Sequence, residues 1–296
     1  MPVINFGSMR IDNAFNVPHF VQPGETLIVD NHKICPGGKG LNQSIALARA
    51  GCPVTHAGFV GKNGSMLLDA LIVSGVDTHL IKPLPDDCGH SIIQINEAGE
   101  NSILLIPGTN TAFTEEYVEA VLQQATPKDV VLLQNETNCI PFIIKRSKEL
   151  GLKVVLNLAP ATKANVNYPL HLLDILIVNE VEAECVTDES RPNQAIDVFA
   201  ERYPNTAIIL TLGEQGAIYK DASQKIAVPA ERVARVIDST GAGDTFIGYF
   251  LAHYMRNKPI EHCLQQACKA AAISVGREGT APSIPLLEEL EVFETA

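Results

Sequence analysis

Ile237-Asp-Ser-Thr-Gly-Ala-Gly-Asp-Thr-Phe246 is a turn of small residues that leads straight into an apolar helical pattern, Thr245–Met255. Gly241, Ala242 and Gly243 leave backbone N–H groups uncovered at the helix start, where four donors lack partners within the helix. With the positive end of the helix dipole behind them, such donors form a hole for an anion. Asp244 falls in the first turn, beside whatever anion binds. A carboxylate there can accept the proton of a hydroxyl that attacks a phosphoryl group. Taken alone, the stretch also allows a plainer reading, an Asp that merely caps its helix.

Working outward, short apolar runs alternate with helical patterns along most of the chain. Val3–Phe6, Val54–Val60, Val130–Leu133, Val154–Leu156, Ile175–Val178 and Ala207–Leu210 read as buried strands, being short, rich in Val, Ile and Leu, and bounded by polar or glycine punctuation. Amphipathic stretches lie between them, among them Leu41–Ala50, Glu115–Gln124, Phe142–Leu150 and Asn193–Glu201. Repeated strand–helix–strand order predicts an α/β fold, a parallel sheet with helices on both faces. Ligands in such sheets sit at the carboxyl ends of strands, next to helix N-termini.

Two segments break the rhythm. Asn13–Ile34 and Gly89–Ile106 hold no convincing helix, and Ser91–Asn96 and Ser102–Ile106 read as a hairpin whose turn carries Gly99. Phe15–Phe20 and Leu27–Ile34 read as further extended pieces around the turn Gln22-Pro-Gly-Glu25. Together they suggest a small projecting β-layer, a lid, although two ordinary surface hairpins would look the same. The expected division is a main domain of residues 1–12, 35–88 and 107–296, with a lid of residues 13–34 and 89–106. An open edge of that layer needs covering, so a homodimer contact is expected there.

Bulk properties narrow the function. The chain has 296 residues, 46% of them hydrophobic and 19% charged, enough to bury a core without metal or disulfide support. A formal charge of −12 argues against a nucleic-acid partner, which needs a basic face. It leaves phosphate ligands open, since backbone N–H groups can hold them. Seven scattered cysteines form no C-x-x-C pair, and no apolar stretch is long enough to span a bilayer, so a cytoplasmic protein with reduced thiols and no membrane partner is expected. The eight histidines show no metal spacing.

A second glycine-rich turn, Pro36-Gly-Gly-Lys-Gly-Leu-Asn42, also precedes a helix, Gln43–Ala50. Gly37, Gly38 and Gly40 allow close backbone approach to a ligand, and Lys39 and Asn42 offer donors to hydroxyls; a plain turn capped by Asn42 is the alternative. No phosphate-binding Walker loop and no dinucleotide glycine fingerprint occur.

The pair of turns together resembles the two signature regions of the ribokinase (PfkB-type) family of carbohydrate kinases. The resemblance runs from Gly7-Ser-Met-Arg-Ile-Asp12 to Gly279-Thr-Ala-Pro-Ser283 and includes Gln134-Asn-Glu136, Asn157-Leu-Ala-Pro160, Asn179-Glu-Val-Glu-Ala-Glu184 and Thr211-Leu-Gly-Glu-Gln-Gly216. It implies a three-layer α/β/α sandwich with a small β-sheet lid that closes over the substrate. It also implies ATP-dependent phosphorylation of a small sugar, D-ribose to ribose 5-phosphate first among the candidates. Asp244 would be the base, with Gly241, Ala242 and Gly243 as the anion hole. Asp12, Gly38, Lys39, Asn42, Glu136 and Arg10 would meet the sugar. Asn179, Thr211, Gly213, Gly216, Gly243 and Cys268 would meet ATP. Glu182 would serve Mg²⁺ through water, and Asp238, Thr240, Gly279 and Ser283 fall where the family holds K⁺. For Asn179 and Glu182 a structural role at the helix start stays open, because Asn is a good N-cap.

One position departs from the pattern. Ribose-binding members of the family usually carry Asn where this chain has Arg10. Arg offers only donors and a fixed positive charge, so it could bond ribose hydroxyls, pair with an acidic neighbour, or read an acidic or phosphorylated sugar. Another neutral sugar, a nucleoside, or a catalytically silent sugar-binding regulator on the same fold are the remaining alternatives.

Overall fold

The computed structural model describes residues 2–29, 31–98 and 100–293. In chain order the first half runs β1 (Val3–Phe6), β2 (Arg10–Asn16), β3 (His32–Gly37), α1 (Lys39–Arg49), β4 (Val54–Val60), α2 (Ser65–Val73), β5 (Ile81–Pro83), β6 (Gly89–Ile95), β7 (Asn101–Ile106) and α3 (Glu115–Leu122). It continues with β8 (Val130–Gln134), α4 (Ile140–Glu149), β9 (Lys153–Asn157), β10 (Ile175–Asn179), α5 (Glu180–Thr187), α6 (Pro192–Arg202), β11 (Ala207–Thr211), β12 (Ala217–Lys220), β13 (Lys225–Val228), α7 (Ala242–Tyr254), α8 (Ile260–Val275) and α9 (Leu287–Val292).

Nine strands form one sheet in the order β13-β12-β11-β10-β9-β8-β1-β4-β5. All pairs from β11 through to β5 are parallel, and β12 and β13 add an antiparallel edge hairpin. Strand alternation sends side chains to opposite faces. Val130 and Leu132 therefore join a core with α1, α2, α7 and α8, whereas Val131 and Leu133 join a second core with α3, α4, α5 and α6. Burial on both faces is what near-continuous Val/Ile/Leu runs in a parallel sheet require, and the expected three-layer sandwich is what forms. All seven cysteines are free. No helix among the described residues is long and apolar enough to cross a membrane.

A second, four-stranded sheet has the order β3-β2-β6-β7. Its strands differ from the sequence expectation at the N-terminal side: the first runs Arg10–Asn16 rather than Phe15–Phe20, and the next His32–Gly37 rather than Leu27–Ile34. Pro18 explains the early end. Val17 N–H gives the last bond to Ile95 O at 2.8 Å, and Pro18 has no N–H to continue the ladder. The turn at Gln22–Glu25 is present, closed by Glu25 N–H to Gln22 O at 3.0 Å. The hairpin of β6 and β7 is also present, while Gly99 lies outside the described residues.

Helix α7 starts at Ala242, earlier than the apolar pattern suggested, because Gly241 takes a left-handed conformation (φ 79°) as its N-cap. The start of α1 is set differently. A β-carbon on Gly40 would overlap the Gly7 backbone, so only glycine lets α1 press against the segment after β1. Leu41 N–H then bonds Ser8 O at 2.9 Å. Both glycine-rich turns thereby bring their helix N-termini to one side of the sheet.

Candidate active site

The first turns of α1 and α7 meet at Asp244. Its carboxylate is almost fully buried and accepts two side-chain amides, from Asn42 Nδ2 to Oδ2 at 2.9 Å and from Gln43 Nε2 to Oδ1 at 2.8 Å. Burial pushes the Asp244 pKa above the usual carboxylate range, against the lowering pull of Lys39 and of the two amides. Lys39 is affected in the opposite sense. Burial alone would depress it, but the nearby carboxylates of Asp244, Glu136 and Glu182 outweigh that and raise its pKa, so it stays a cation.

These groups open on a cleft lined by Lys39, Asn157, Asn179, Glu182, Thr211, Gly241, Gly243 and Asp244, at the carboxyl ends of β9, β10 and β11. A β-carbon at Gly243 would meet nothing within 4 Å, so that backbone faces open space. Of the three residues expected to form the anion hole, Ala242 already gives its N–H to Ser239 O in a turn bond of 3.3 Å. A larger cavity of about 270 Å³ lies at the other end of the strands, between Lys153, Tyr254 and Lys258, away from this chemistry.

Next to the cleft, the base of the small sheet carries a charged cluster. Arg10 donates from Nε to Asp12 Oδ1 and from Nη1 to Glu136 Oε1, both at 2.8 Å. Glu136 Oε2 accepts from Lys39 N–H at 2.9 Å and from the Ser8 hydroxyl. Asp12 also accepts from the Ser91 hydroxyl, and a β-carbon on Gly37 would overlap its carboxylate. Arg10 has therefore turned to two acidic neighbours, which raise its pKa despite its burial. Gly38, at φ 99°, is the N-cap of α1 between this cluster and Asp244.

Asn179 caps α5 in a reciprocal box: its Oδ1 accepts from Glu182 N–H at 2.8 Å, and Glu182 Oε2 accepts from Asn179 N–H at 2.9 Å. The structural role left open from sequence is thus present. Glu182 nonetheless sits in the cleft with its pKa raised by burial, and its Oε1 is left out of the box. Thr211 ends β11 beside the cleft. Gly213 and Gly216 lie in the turn from β11 to β12, and a β-carbon on Gly216 would overlap Val228 O. Cys268 is inside α8, buried, with its thiol pushed up to about 12, and does not line the cleft. Asp238 accepts from Thr240 N–H at 2.9 Å and Gly279 N–H at 3.1 Å, tying the loop before α7 to the loop after α8. Ser283 Oγ donates to Thr280 O at 2.7 Å in that second loop.

A buried carboxylate at a helix start, an open glycine turn and an acid-rich cluster lie together on one side of a parallel sheet. Residues 3–287 match the pfkB family of carbohydrate kinases. The chain belongs to that family. A ribokinase of Haemophilus influenzae is 35% identical, the match covering 98% of this chain and 97% of that protein. Among solved structures, a Cryptococcus neoformans ribokinase in complex with ADP has a TM-score of 0.85 at 31% identity, covering 98% of this chain and 99% of that one. An Arabidopsis thaliana ribokinase complexed with ribose and ATP has a TM-score of 0.88 at 25% identity, covering 100% and 99%. The chain is an ATP-dependent carbohydrate kinase.

The sequence reading gave no role to several residues that lie behind the site. Gln43, Gln134, Asn5 and Asn157 form a hydrogen-bonded group behind Asp244. Their signal was available: Asn5 interrupts Val-Ile-Asn-Phe, and Gln134 and Asn157 end otherwise apolar strands. A polar side chain on a doubly buried strand needs a partner.

Proposed function

We propose that this kinase transfers the terminal phosphoryl group of ATP to the 5-hydroxyl of D-ribose, giving ribose 5-phosphate and ADP. The observation that carries the reading is Asp244, ionisable and buried, held between two amides at the mouth of the α7 N-terminus. Its raised pKa makes it a better proton acceptor than a surface carboxylate. The hydroxyl oxygen bonds to the terminal phosphorus as its proton passes to Asp244, and the bond from that phosphorus to the ADP oxygen breaks. Donors of the α7 first turn and the Lys39 ammonium face the charge that develops on the phosphoryl oxygens.

The neutral sugar is favoured over an acidic or phosphorylated one by the state of Arg10. Two carboxylates already hold it, so it offers little unbalanced charge to an anion. Asn42 Oδ1 is buried without a partner, as befits an acceptor reserved for a substrate hydroxyl. Asp12, Gly38, Lys39, Arg10 and Glu136 complete the sugar side; Asn179, Thr211, Gly213, Gly216 and Gly243 belong to the ATP side, and Cys268, buried inside α8, drops out of it. Glu182 fits Mg²⁺ through water, because it is a cleft carboxylate with an oxygen to spare. When bound, the metal neutralises charge on the ATP phosphates. The hard oxygens around Asp238, Thr240, Gly279 and Ser283 suit K⁺. An ATP donor and seven free thiols fit a cytoplasmic setting.

The four-stranded sheet, with residues 13–34 and 89–106 as its projecting part, serves in this reading as lid and dimer contact. Its register puts Ile34, Asn13, Ile92 and Leu104 in one row across a face, with Leu104 62% exposed. A second copy would cover this row. Leu104→Glu should then convert a dimer to a monomer by light scattering.

The deciding experiment is ADP release with ATP and Mg²⁺ over a sugar panel that includes D-ribose, 2-deoxy-D-ribose, a sugar acid and a sugar phosphate, with and without K⁺. Turnover strongest on D-ribose supports the reading. Turnover only on the acid or phosphate would show that Arg10 leaves its carboxylates to read an anion.

A further inference from the structure

Behind Asp244 the protein buries a line of polar side chains, of which only Asn157 reaches the lining of the cleft. Gln43 Nε2 donates to Asp244 Oδ1 at 2.8 Å and to Asn157 Oδ1 at 3.1 Å. Gln43 Oε1 accepts from Gln134 Nε2 at 2.8 Å, and the same nitrogen donates to Asn5 Oδ1 at 2.9 Å. Asn5 Nδ2 donates to Gly40 O and to Ser44 Oγ, each at 2.8 Å. The line ends at His56, whose Nδ1 pairs with Ser44 Oγ at 2.9 Å and whose Nε2 lies 3.2 Å from Gly7 O.

Every amide in this line is orientationally determined. A carboxylate and a carbonyl only accept, so Gln43 must turn its nitrogen to Asp244 and His56 must carry its proton on Nε2. Ser44 then donates to Nδ1, and no member can flip without placing two donors or two acceptors face to face. Gln43, Gln134, Asn5, Ser44 and His56 are fully buried. Adjacent strands β9, β8 and β1 supply three of the groups to the face covered by α1, with Gln134 and Asn157 in register. Apolar side chains would fill this layer at less desolvation cost, so the fold has no use of its own for it.

We propose that Gln43 is a positioning residue for the phosphoryl-transfer reaction: anchored by Gln134 and Asn157, its amide holds Oδ1 of Asp244 so that the carboxylate presents a fixed lone pair to the acceptor hydroxyl. The inference rests on Asp244 being the base of the proposed kinase reaction. Asn42, the other donor to Asp244, keeps a buried acceptor without a partner and is the proposed sugar contact; Gln43 has its bonds to Asp244, Asn157 and Gln134 and acts only through Asp244. The charged groups around Asp244 are Lys39 of α1, Arg10 of β2, Glu136 beyond β8 and Glu182 of α5, and none of them hydrogen-bonds Gln43.

The test compares wild type, Gln43→Met, Gln43→Glu, Gln134→Met and Asp244→Asn, with D-ribose, ATP and Mg²⁺, over pH 5.5–9 on samples checked by circular dichroism. Gln43→Met should lower kcat by about 10- to 100-fold with both KM values within about threefold, as supporting residues of this kind do. Its kcat/KM acid limb should move up by about one pH unit, the size of one lost hydrogen bond to a charged group. Gln43→Glu keeps the shape but donates only while protonated, so its kcat should fall with rising pH where wild type rises. Should Gln43→Met not fold, Gln134→Met, which frees the Gln43 amide to rotate, carries the same test with a smaller loss of kcat. Asp244→Asn separates the two readings. If it is inactive while the Gln43 and Gln134 variants keep wild-type kcat and pH profile, the positioning role is overturned and the base stands. If Asp244→Asn turns over normally, the base assignment falls and the positioning role falls with it.

Discussion

His56 makes the stability of this enzyme depend on pH in a way that can be worked out in advance. It is fully buried, and burial lowers its pKa from 6.5 to about 4, the bond to Gly7 O offsetting only part of the effect. The folded state therefore binds a proton less readily than the unfolded state. A base with a lowered folded pKa contributes its full stability above 6.5, and that contribution is lost as pH falls from 6.5 toward 4. At pH 5 the unfolded imidazole is almost fully protonated and the folded one almost neutral. The gap of about 1.5 pH units, at about 1.36 kcal/mol per unit, removes about 2 kcal/mol. His253, also buried and lowered to about 4 beside His262, adds a similar slope. His56→Gln cannot take up a proton but leaves His253 untouched, so the difference between the two proteins isolates one site. Urea unfolding at pH 7.5, 6, 5.5 and 5 should show wild type losing about 2 kcal/mol more than His56→Gln over that range, at unchanged m-value. His56→Gln is expected to be weaker at every pH, because the line to Ser44 is cut; only the slope is diagnostic. Parallel slopes would refute the claim that His56 is buried neutral.

Other outcomes follow from the same geometry. Asp244→Asn should leave ATP binding by calorimetry within about threefold while kcat falls by about 10²–10⁴-fold, the span of a lost general base. Arg10→Ala leaves Asp12 and Glu136 without their shared cation, so the KM for D-ribose should rise about tenfold or more with the KM for ATP unchanged. Its stability should fall by about 1–2 kcal/mol, a discounted value because the Arg10 side chain keeps 19% exposure. Gly40→Ala forces α1 away from Gly7 and should destabilise by about 1–3 kcal/mol in urea, with a loss of kcat from the displaced Asn42 and Gln43.

How much of this was legible in the sequence depended on the kind of interaction. The central strands were visible because a sheet buried on both faces admits little but Val, Ile and Leu, and the two glycine turns because a helix start near an anion tolerates little else. The edge hairpin of β12 and β13 was not, since Lys225–Val228 is short and mixed in polarity. The small sheet was seen, but its β2 and β3 strands were misplaced, because the apolar run around Phe15–Phe20 outweighed the one missing N–H at Pro18. Asp244 and Lys39 were singled out by residue type and by their place in the two glycine turns, and Glu136 through the family resemblance. Arg10 could not be settled that way: its two partners are one strand-neighbour, Asp12, and one residue more than a hundred positions away, Glu136, and only folding brings them together. Gln43 was hidden for the same reason, as its partners come from three separate elements, β8, β9 and α7.

The same contacts also show why such a site is held so tightly. A carboxylate whose pKa rises on folding weakens the fold at neutral pH, since the folded state would rather bind the proton than keep the charge. Asp244 is therefore a burden to stability, and one that an apolar residue would remove. The protein reduces it with two amides and the Lys39 ammonium rather than by exposing the group to water, which would let water compete for the phosphoryl group. Each amide must then be denied any other partner and any other orientation. For Asn42 this is only half done, since its acceptor oxygen is buried without a partner; for Gln43 it is carried further, through Gln134, Asn5, Ser44 and His56. Favouring the charged form of a carboxylate whose pKa burial raises requires donors that cannot turn away, and the depth of the buried line is the number of steps needed to reach backbone carbonyls that cannot move.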